Sequence, residues 1–369
     1  NPQSPIPNPQ SPIPIIQKYN KFKSIIIFEF YFKYLFKKYK VFRYIIKMKA
    51  ILICFLILAQ ILFSNCNKPK TFDELLEDLK KDIHERKMVV AGADNPETLK
   101  TAVEAKNMGI GNSILVGNEE RIKSRAKDNN IDISSFEIVN IDDPIEICRT
   151  SVKMVHDGQA DMLVKGSVET RDLLKAILDN EIGLKSKELL NLIGVFEMDG
   201  KLTFLTDVSV VPYPTLEEKV KLINNSVKLA KYIGIETPKV AAITGLSVSN
   251  TRMPETMEAE KLTEMNIKGE IKDCIVDGPL SLDLAISPES AQIKYVHRRV
   301  NGDADIILFP DVHAANIAYK ILTHLSDSKN GNILLGTTKP VISTSRSDSV
   351  QTKLNSMILG FWFDKFKSN

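Results

Sequence analysis

From Thr71 onward, short β-rich runs alternate with amphipathic helical segments, and a chain with that rhythm has few ways to fold. KMVVAGA (87–93), SILVG (113–117), EIVNI (137–141) and DMLVKG (161–166) each precede a stretch of helical spacing: from Pro96, over 119–127, over 144–158 and over 171–179. A further helical stretch, TFDELLEDLK (71–80), comes before them. Adjacent parallel strands need a crossover, and a helix is the usual one. The pattern predicts an α/β fold, a parallel sheet with helices on both faces. Asn95 and Pro96 supply the cap and first-turn proline of the helix that follows the first strand.

The rhythm pauses over 183–214, where GVFEMDGKLTFLTD (194–207) reads as two strands around a turn at Asp199-Gly200. It resumes with a helix over 215–233, then strands over 239–244, 271–276 and 304–310 with helices over 254–262 and 314–325 between and after them. Strands over 332–336 and 339–344 and a last helix from about Ser349 complete the chain. The pause predicts a boundary, with one α/β domain built from 70–183 plus 333–369 and a second from 184–332. The final helix finds no other partner signalled in the sequence, so the chain is expected to cross back into the first domain.

In an open parallel sheet, ligands bind outside the carboxyl ends of the strands. Polar residues gather at those places here. Lys165, Gly166, Ser167 and Thr170 follow DMLV; Thr244-Gly245 follows KVAAI; Asp277, Gly278, Pro279 and Asp283 follow IKDCIV; Asp311, His313 and Asn316 follow ADIILFP; Thr344-Ser345-Arg346 and Asp348 follow KPVIS. Taken singly, each has an ordinary explanation, because glycines permit turns and aspartates cap helices. Together they point to one convergent site. Arg346 offers a planar fork for phosphate oxygens and Ser345 a hydroxyl. Neither GxGxxG nor a Walker loop occurs, and no histidine pair has metal-ligand spacing, so dinucleotide, nucleoside triphosphate and metal sites lack support.

The 369 residues, 43% of them hydrophobic, suffice for two cores. Cys54, Cys66, Cys148 and Cys274 form no CxxC pair, which argues against a disulfide scaffold or a zinc site. The net charge of +3 hides a division: residues 1–70 carry +11, leaving −8 on the rest. An acidic body argues against a nucleic-acid partner. The first 68 residues are expected to be a non-catalytic extension. NPQSPIP stands twice in 1–14, a seven-residue period such as a tandem seven-base DNA repeat encodes. Residues 15–53 are dominated by Ile, Phe, Tyr, Lys and Asn, whose codons are AT-rich. From Met48 a charged start, the apolar run AILICFLILAQILF (50–63) and Cys66 follow. They read either as a lipoprotein-like anchor, with membrane contact through 48–66, or as a misread start.

Four longer motifs make the sequence similar to a known family: ADMLVKGSVETRDLLKAILDNEIGL (160–184), EIKDCIVDGPLSLDLAIS (270–287), ADIILFPDVHAANIAYKIL (304–322) and ISTSRSDSVQTKLNSM (342–357), with TRMPETMEAEKL (251–262) belonging to the same pattern. They resemble the phosphate acetyltransferase and phosphate butyryltransferase family, the butyryl branch most closely, over 70–360. The resemblance implies two α/β domains around a cleft, like isocitrate and isopropylmalate dehydrogenases, in a homodimer or larger homo-oligomer. It implies exchange of a short-chain acyl-CoA such as butyryl-CoA plus phosphate for the acyl phosphate plus CoA. CoA is then a substrate and no cofactor is needed. Ser345, Arg346 and Asp311 would be catalytic; Lys165, Gly166, Ser167, Thr170, Asp277, Gly278, Pro279, Asp283 and Asn316 would bind phosphate or CoA. The chain departs from the pattern at Thr352, where the acetyl branch has a proposed base Asp, at Leu284 after Asp283, and at Ala315. A CoA-dependent enzyme belongs in the cytoplasm, which conflicts with the anchor reading. The competing readings are a phosphate acetyltransferase, a non-catalytic regulatory acyl-CoA-binding domain of the same fold, and a decarboxylating dehydrogenase, the last disfavoured by the missing cofactor motifs.

Overall fold

The computed structural model describes residues 71–82, 84–294 and 298–367. The repeat, the apolar run and Cys66 lie outside the described residues.

Helix α1 (Phe72–Lys80) begins where Thr71 Oγ1 accepts the Glu74 N–H at 3.2 Å. Four β–α units follow: β1 (Lys87–Ala91) with α2 (Pro96–Asn107), β2 (Asn112–Gly117) with α3 (Glu119–Asp128), β3 (Glu137–Asn140) with α4 (Pro144–His156), and β4 (Met162–Lys165) with α5 (Thr170–Ile177). Each strand is short and each of the first three helices has a side-chain cap, Asn95, Asn118 or Asp143. Strands β5 (Asn191–Met198) and β6 (Lys201–Thr206) form the expected hairpin around Asp199-Gly200, both at positive φ. Then come α6 (Leu216–Ile233), β7 (Lys239–Ile243), α7 (Pro254–Ile267), β8 (Ile275–Leu280), α8 (Leu282–Ile286), α9 (Pro288–Ile293), β9 (Ile306–Leu308) and α10 (Val312–Leu325). The chain closes with β10 (Asn330–Leu335), β11 (Val341–Ile342) and α11 (Val350–Lys367).

The eleven strands of the described residues join one sheet, ordered β3-β2-β1-β4-β11-β10-β5-β6-β9-β7-β8. Near the end of the chain β11 pairs in parallel with β4, and α11 packs on β10, α1 and α2. Its face buries Leu354, Met357, Ile358, Phe361 and Trp362. The expected helices on both faces follow from the strand alternation, since residues such as Val90 and Leu115 belong to one apolar cluster while Val89 and Val116 belong to the other.

Two differences from the sequence reading matter for function. The eighth strand lies at 275–280 rather than 271–276, so Asp277, Gly278 and Pro279 are inside it and buried. The stretch Ile271–Cys274 is a turn, held by Asn266 Nδ2 on the carbonyls of Ile271 (2.9 Å) and Cys274 (3.0 Å). Second, the sheet reverses direction. β10 is antiparallel to β11 and β5, and β5 is antiparallel to β6. The strands β6 to β9 thus run opposite to β1 to β4 and β11. The carboxyl ends of the two sets face opposite edges. Among the described residues, no helix is long and apolar enough to cross a membrane.

Candidate active site

A cavity of about 320 Å³ opens where the ends of β4 and β11 meet the face covered by α10. Of the residues expected from sequence, Lys165, Thr170, Asn316, Thr344, Ser345, Arg346 and Asp348 line it. Lys165 ends β4 with only 6% of its surface exposed. Its Nζ lies 3.5 Å from the carbonyls of Gly166 and Thr344. Burial, with the neighbouring Arg346 charge, pushes the Lys165 ammonium below the usual lysine pKa. Gly166 does not reach the cavity as a ligand group. It is a packing glycine, because a Cβ there would stand 2.0 Å from the Gly92 carbonyl oxygen on the neighbouring β1 side.

Arg346 follows β11 and is half-exposed. Its Nη2 donates to the Ser167 carbonyl and to Glu169 Oε1, both at 2.7 Å. The guanidinium holds the Glu169 carboxyl below its ordinary pKa. The backbone contact ties the loop after β11 to the loop after β4. Ser167 turns its hydroxyl the other way, onto Asp94. Ser345 Oγ sits 3.1 Å from Ser347 Oγ, while the Ser345 N–H donates to Asp348 Oδ2 at 2.8 Å. Asp348 is buried, lines the cavity, and has Lys320 Nζ 3.7 Å from its other oxygen. Asn316 donates to the Val208 carbonyl at 2.9 Å and so fastens α10 to the loop after β6.

The remaining expected residues stand elsewhere. Asp311 caps α10, accepting the Ala314 N–H at 3.0 Å, and does not line the cavity. Asp277 is 3% exposed and accepts the N–H groups of Arg299 (2.6 Å) and Val300 (3.0 Å). Gly278 packs against Ala242 and Ala259, and the Pro279 carbonyl accepts from Arg298. Asp283 pairs with Lys294 at 2.7 Å, which draws its carboxyl down to about 2. Asp277, Gly278 and Pro279 lie within β8, Asp283 lies in the first turn of α8, and none of these five residues, Asp311 included, lines the cavity.

Glu169, Tyr319, Lys320 and Asn332 also line the cavity and were not singled out from sequence. A signal existed for two of them. Tyr319 and Lys320 follow Asn316 by three and four residues, hence share its helix face. The wall is completed by Val168, Leu192 and Val208. Cations, hydroxyls and an apolar wall in one space suit an anionic oxygen group joined to a small hydrocarbon group.

The sheet and its cavity define an α/β protein with a polar, cation-lined site beside an apolar wall. The comparison with known proteins is specific: the chain belongs to the phosphate acetyl/butaryl transferase family, whose pattern matches residues 71–147 and 145–360. It is an acyltransferase of that family. It is 44% identical over 292 residues to a phosphate butyryltransferase of Clostridium beijerinckii, covering 79% of this chain and 96% of that protein. It is 37% identical over 280 residues to a phosphate acetyltransferase of Thermotoga maritima, covering 75% and 95%. Among solved structures, a branched-chain phosphotransacylase from Enterococcus faecalis superposes with a TM-score of 0.68 at 30% identity, covering 76% of this chain and 99% of that one.

Proposed function

We propose that this chain interconverts butyryl-CoA plus phosphate with butyryl phosphate plus CoA. One observation carries the reading: Lys165, Ser345 and Arg346 share a cavity with the apolar wall of Val168, Leu192 and Val208. The similarity to phosphate butyryltransferases supports the four-carbon chain.

In the proposed reaction a phosphate oxygen attacks the thioester carbonyl carbon. The C–S electron pair leaves with sulfur as CoA thiolate, and the acyl group ends on phosphate. Arg346 binds the phosphate through its fork and stabilises the oxyanion that forms at the carbonyl. Its pairing with Glu169 is exposed and therefore weak, so phosphate displaces the carboxylate easily. Lys165 adds a second cation, which burial strengthens. Ser345 donates a hydrogen bond to sulfur or to phosphate. Asp311 has no part as a base in this scheme, because its carboxylate holds the start of α10. A thiol with a pKa of about 8.5 leaves as thiolate with little assistance.

The same proposal makes CoA a substrate, requires no metal or nicotinamide, and places a homodimer or larger homo-oligomer in the cytoplasm. It divides the sheet between β10 and β5, with 70–183 plus 333–369 forming one domain and 184–332 the other, although β10 itself begins three residues earlier, at Asn330. The test is thiol release from acyl-CoA thioesters of two to five carbons, with and without phosphate. Release that depends on phosphate and is fastest with butyryl-CoA is expected. A phosphate-independent rate would overturn the proposal; a maximum with acetyl-CoA would favour the phosphate acetyltransferase reading.

A further inference from the structure

One aromatic ring rests on one glycine at the floor of the cavity. Leu192, Gly194 and Phe196 alternate onto the same face of β5. Tyr319, from α10, lies against that face and is 4% exposed. A Cβ at position 194 would stand 2.7 Å from Tyr319 Cδ2 and 2.9 Å from Cε2. Carbon atoms do not approach that closely, so the ring can lie on the sheet only because residue 194 has no side chain.

The ring is also fixed at its edges. It meets Phe196 edge-on, with centroids 5.5 Å apart and planes at 71°. Asn332, the register partner of Gly194 on β10, donates from Nδ2 to the Tyr319 hydroxyl at 3.2 Å. Tyr319 also lines the cavity, whose wall includes Leu192 and Val208, and Lys320 Nζ stands 5.4 Å from its ring centroid. The ring therefore has the sheet behind it and the cavity before it.

We propose that Gly194 and Tyr319 together set the depth of the acyl pocket, and so decide the longest acyl chain the enzyme accepts. The inference rests on the acyltransfer reading above. Phosphate belongs with the half-exposed Arg346, so the hydrocarbon end of the thioester belongs against Leu192, Val208 and the Tyr319 ring. A methyl group at 194 must drive the ring forward by about 0.7 Å to turn a 2.7 Å approach into ordinary contact at 3.4 Å. Fixed neighbours on the sheet side leave the cavity as the direction of movement. The floor rises, and the methylenes furthest from the carbonyl are the first to lose their place. Removing the ring has the opposite effect and deepens the floor.

The experiment measures kcat/KM for phosphate-dependent CoA release from acetyl-, butyryl- and hexanoyl-CoA, using the full chain and its Gly194→Ala and Tyr319→Leu variants. One methylene in a hydrophobic pocket discriminates by about 10–200-fold. Gly194→Ala is therefore expected to lower the butyryl-to-acetyl ratio about tenfold or more, and Tyr319→Leu to raise the hexanoyl-to-butyryl ratio by a similar factor. Should one variant fail to fold, the other decides. A folded variant in which all three thioesters change by a common factor overturns the pocket assignment alone. A wild-type chain that shows no phosphate-dependent release overturns the acyltransfer reading and this inference with it.

Discussion

In the proposed reaction, Arg346 is the residue on which the chemistry turns. Its fork already holds a carboxylate and a backbone carbonyl, and its neighbour Lys165 is too buried to be hydrated freely. Losing one preorganised charge stabiliser costs about 10²–10³ in turnover. Arg346→Ala is expected to lower kcat by that factor, and Arg346→Lys to recover little of it, because a point charge cannot grip two oxygens at fixed spacing. Steady-state rates of both variants check this; near-full activity in Arg346→Ala would place the phosphate elsewhere. Ser345 and Arg346 were legible in the sequence because they follow a strand directly, and so was Lys165. Asp348 was legible as part of the same cluster, yet its work is local: it fixes the Ser345 N–H rather than meeting a ligand through that oxygen. Glu169 and Asn332 were not legible. Each acquires its place from a contact more than ten residues away, Glu169 with Arg346 and Asn332 with Tyr319.

At the scale of elements, the loop after β6 shows how a short segment positions a wall. Asp207 is 4% exposed and accepts backbone N–H groups from Leu192 (2.8 Å), Ser209 (3.4 Å), Val210 (3.0 Å) and Val211. Burial nevertheless pushes its carboxyl pKa up. The cluster fixes Leu192 and the turn that presents Val208 to the cavity. Asp207→Asn turns an NH2 group toward donors, and leaving buried N–H groups without an acceptor costs about 1–3 kcal/mol. Urea unfolding should register a loss of that size, accompanied by a larger fall in kcat/KM for butyryl-CoA than for acetyl-CoA. Unchanged stability would contradict this account of the turn. Most elements could be read from periodicity, caps and turn residues. The eighth strand could not be placed correctly, because Ile271–Val276 has the composition of a strand and only pairing with β7 sets its register. Strand direction was likewise hidden. Whether β6 runs with or against β4 depends on β10 inserting between β11 and β5, a pairing that joins segments more than a hundred residues apart.

For the molecule as a whole, charge sets a constraint. Residues 71–369 carry −8, while phosphate and CoA are anions. The body repels such substrates at long range, so in the proposed reaction their capture depends on the cations concentrated at one cavity, Lys165, Lys320 and Arg346. The central claim is that this cavity moves an acyl group between phosphate and CoA. The most direct measurement supplies the full chain with butyryl phosphate and CoA and follows thioester formation by absorbance and inorganic phosphate in the same sample. The account predicts one thioester formed for each phosphate released, with both lost together in Arg346→Ala. Phosphate release without thioester, or equal rates in the presence and absence of CoA, would contradict it.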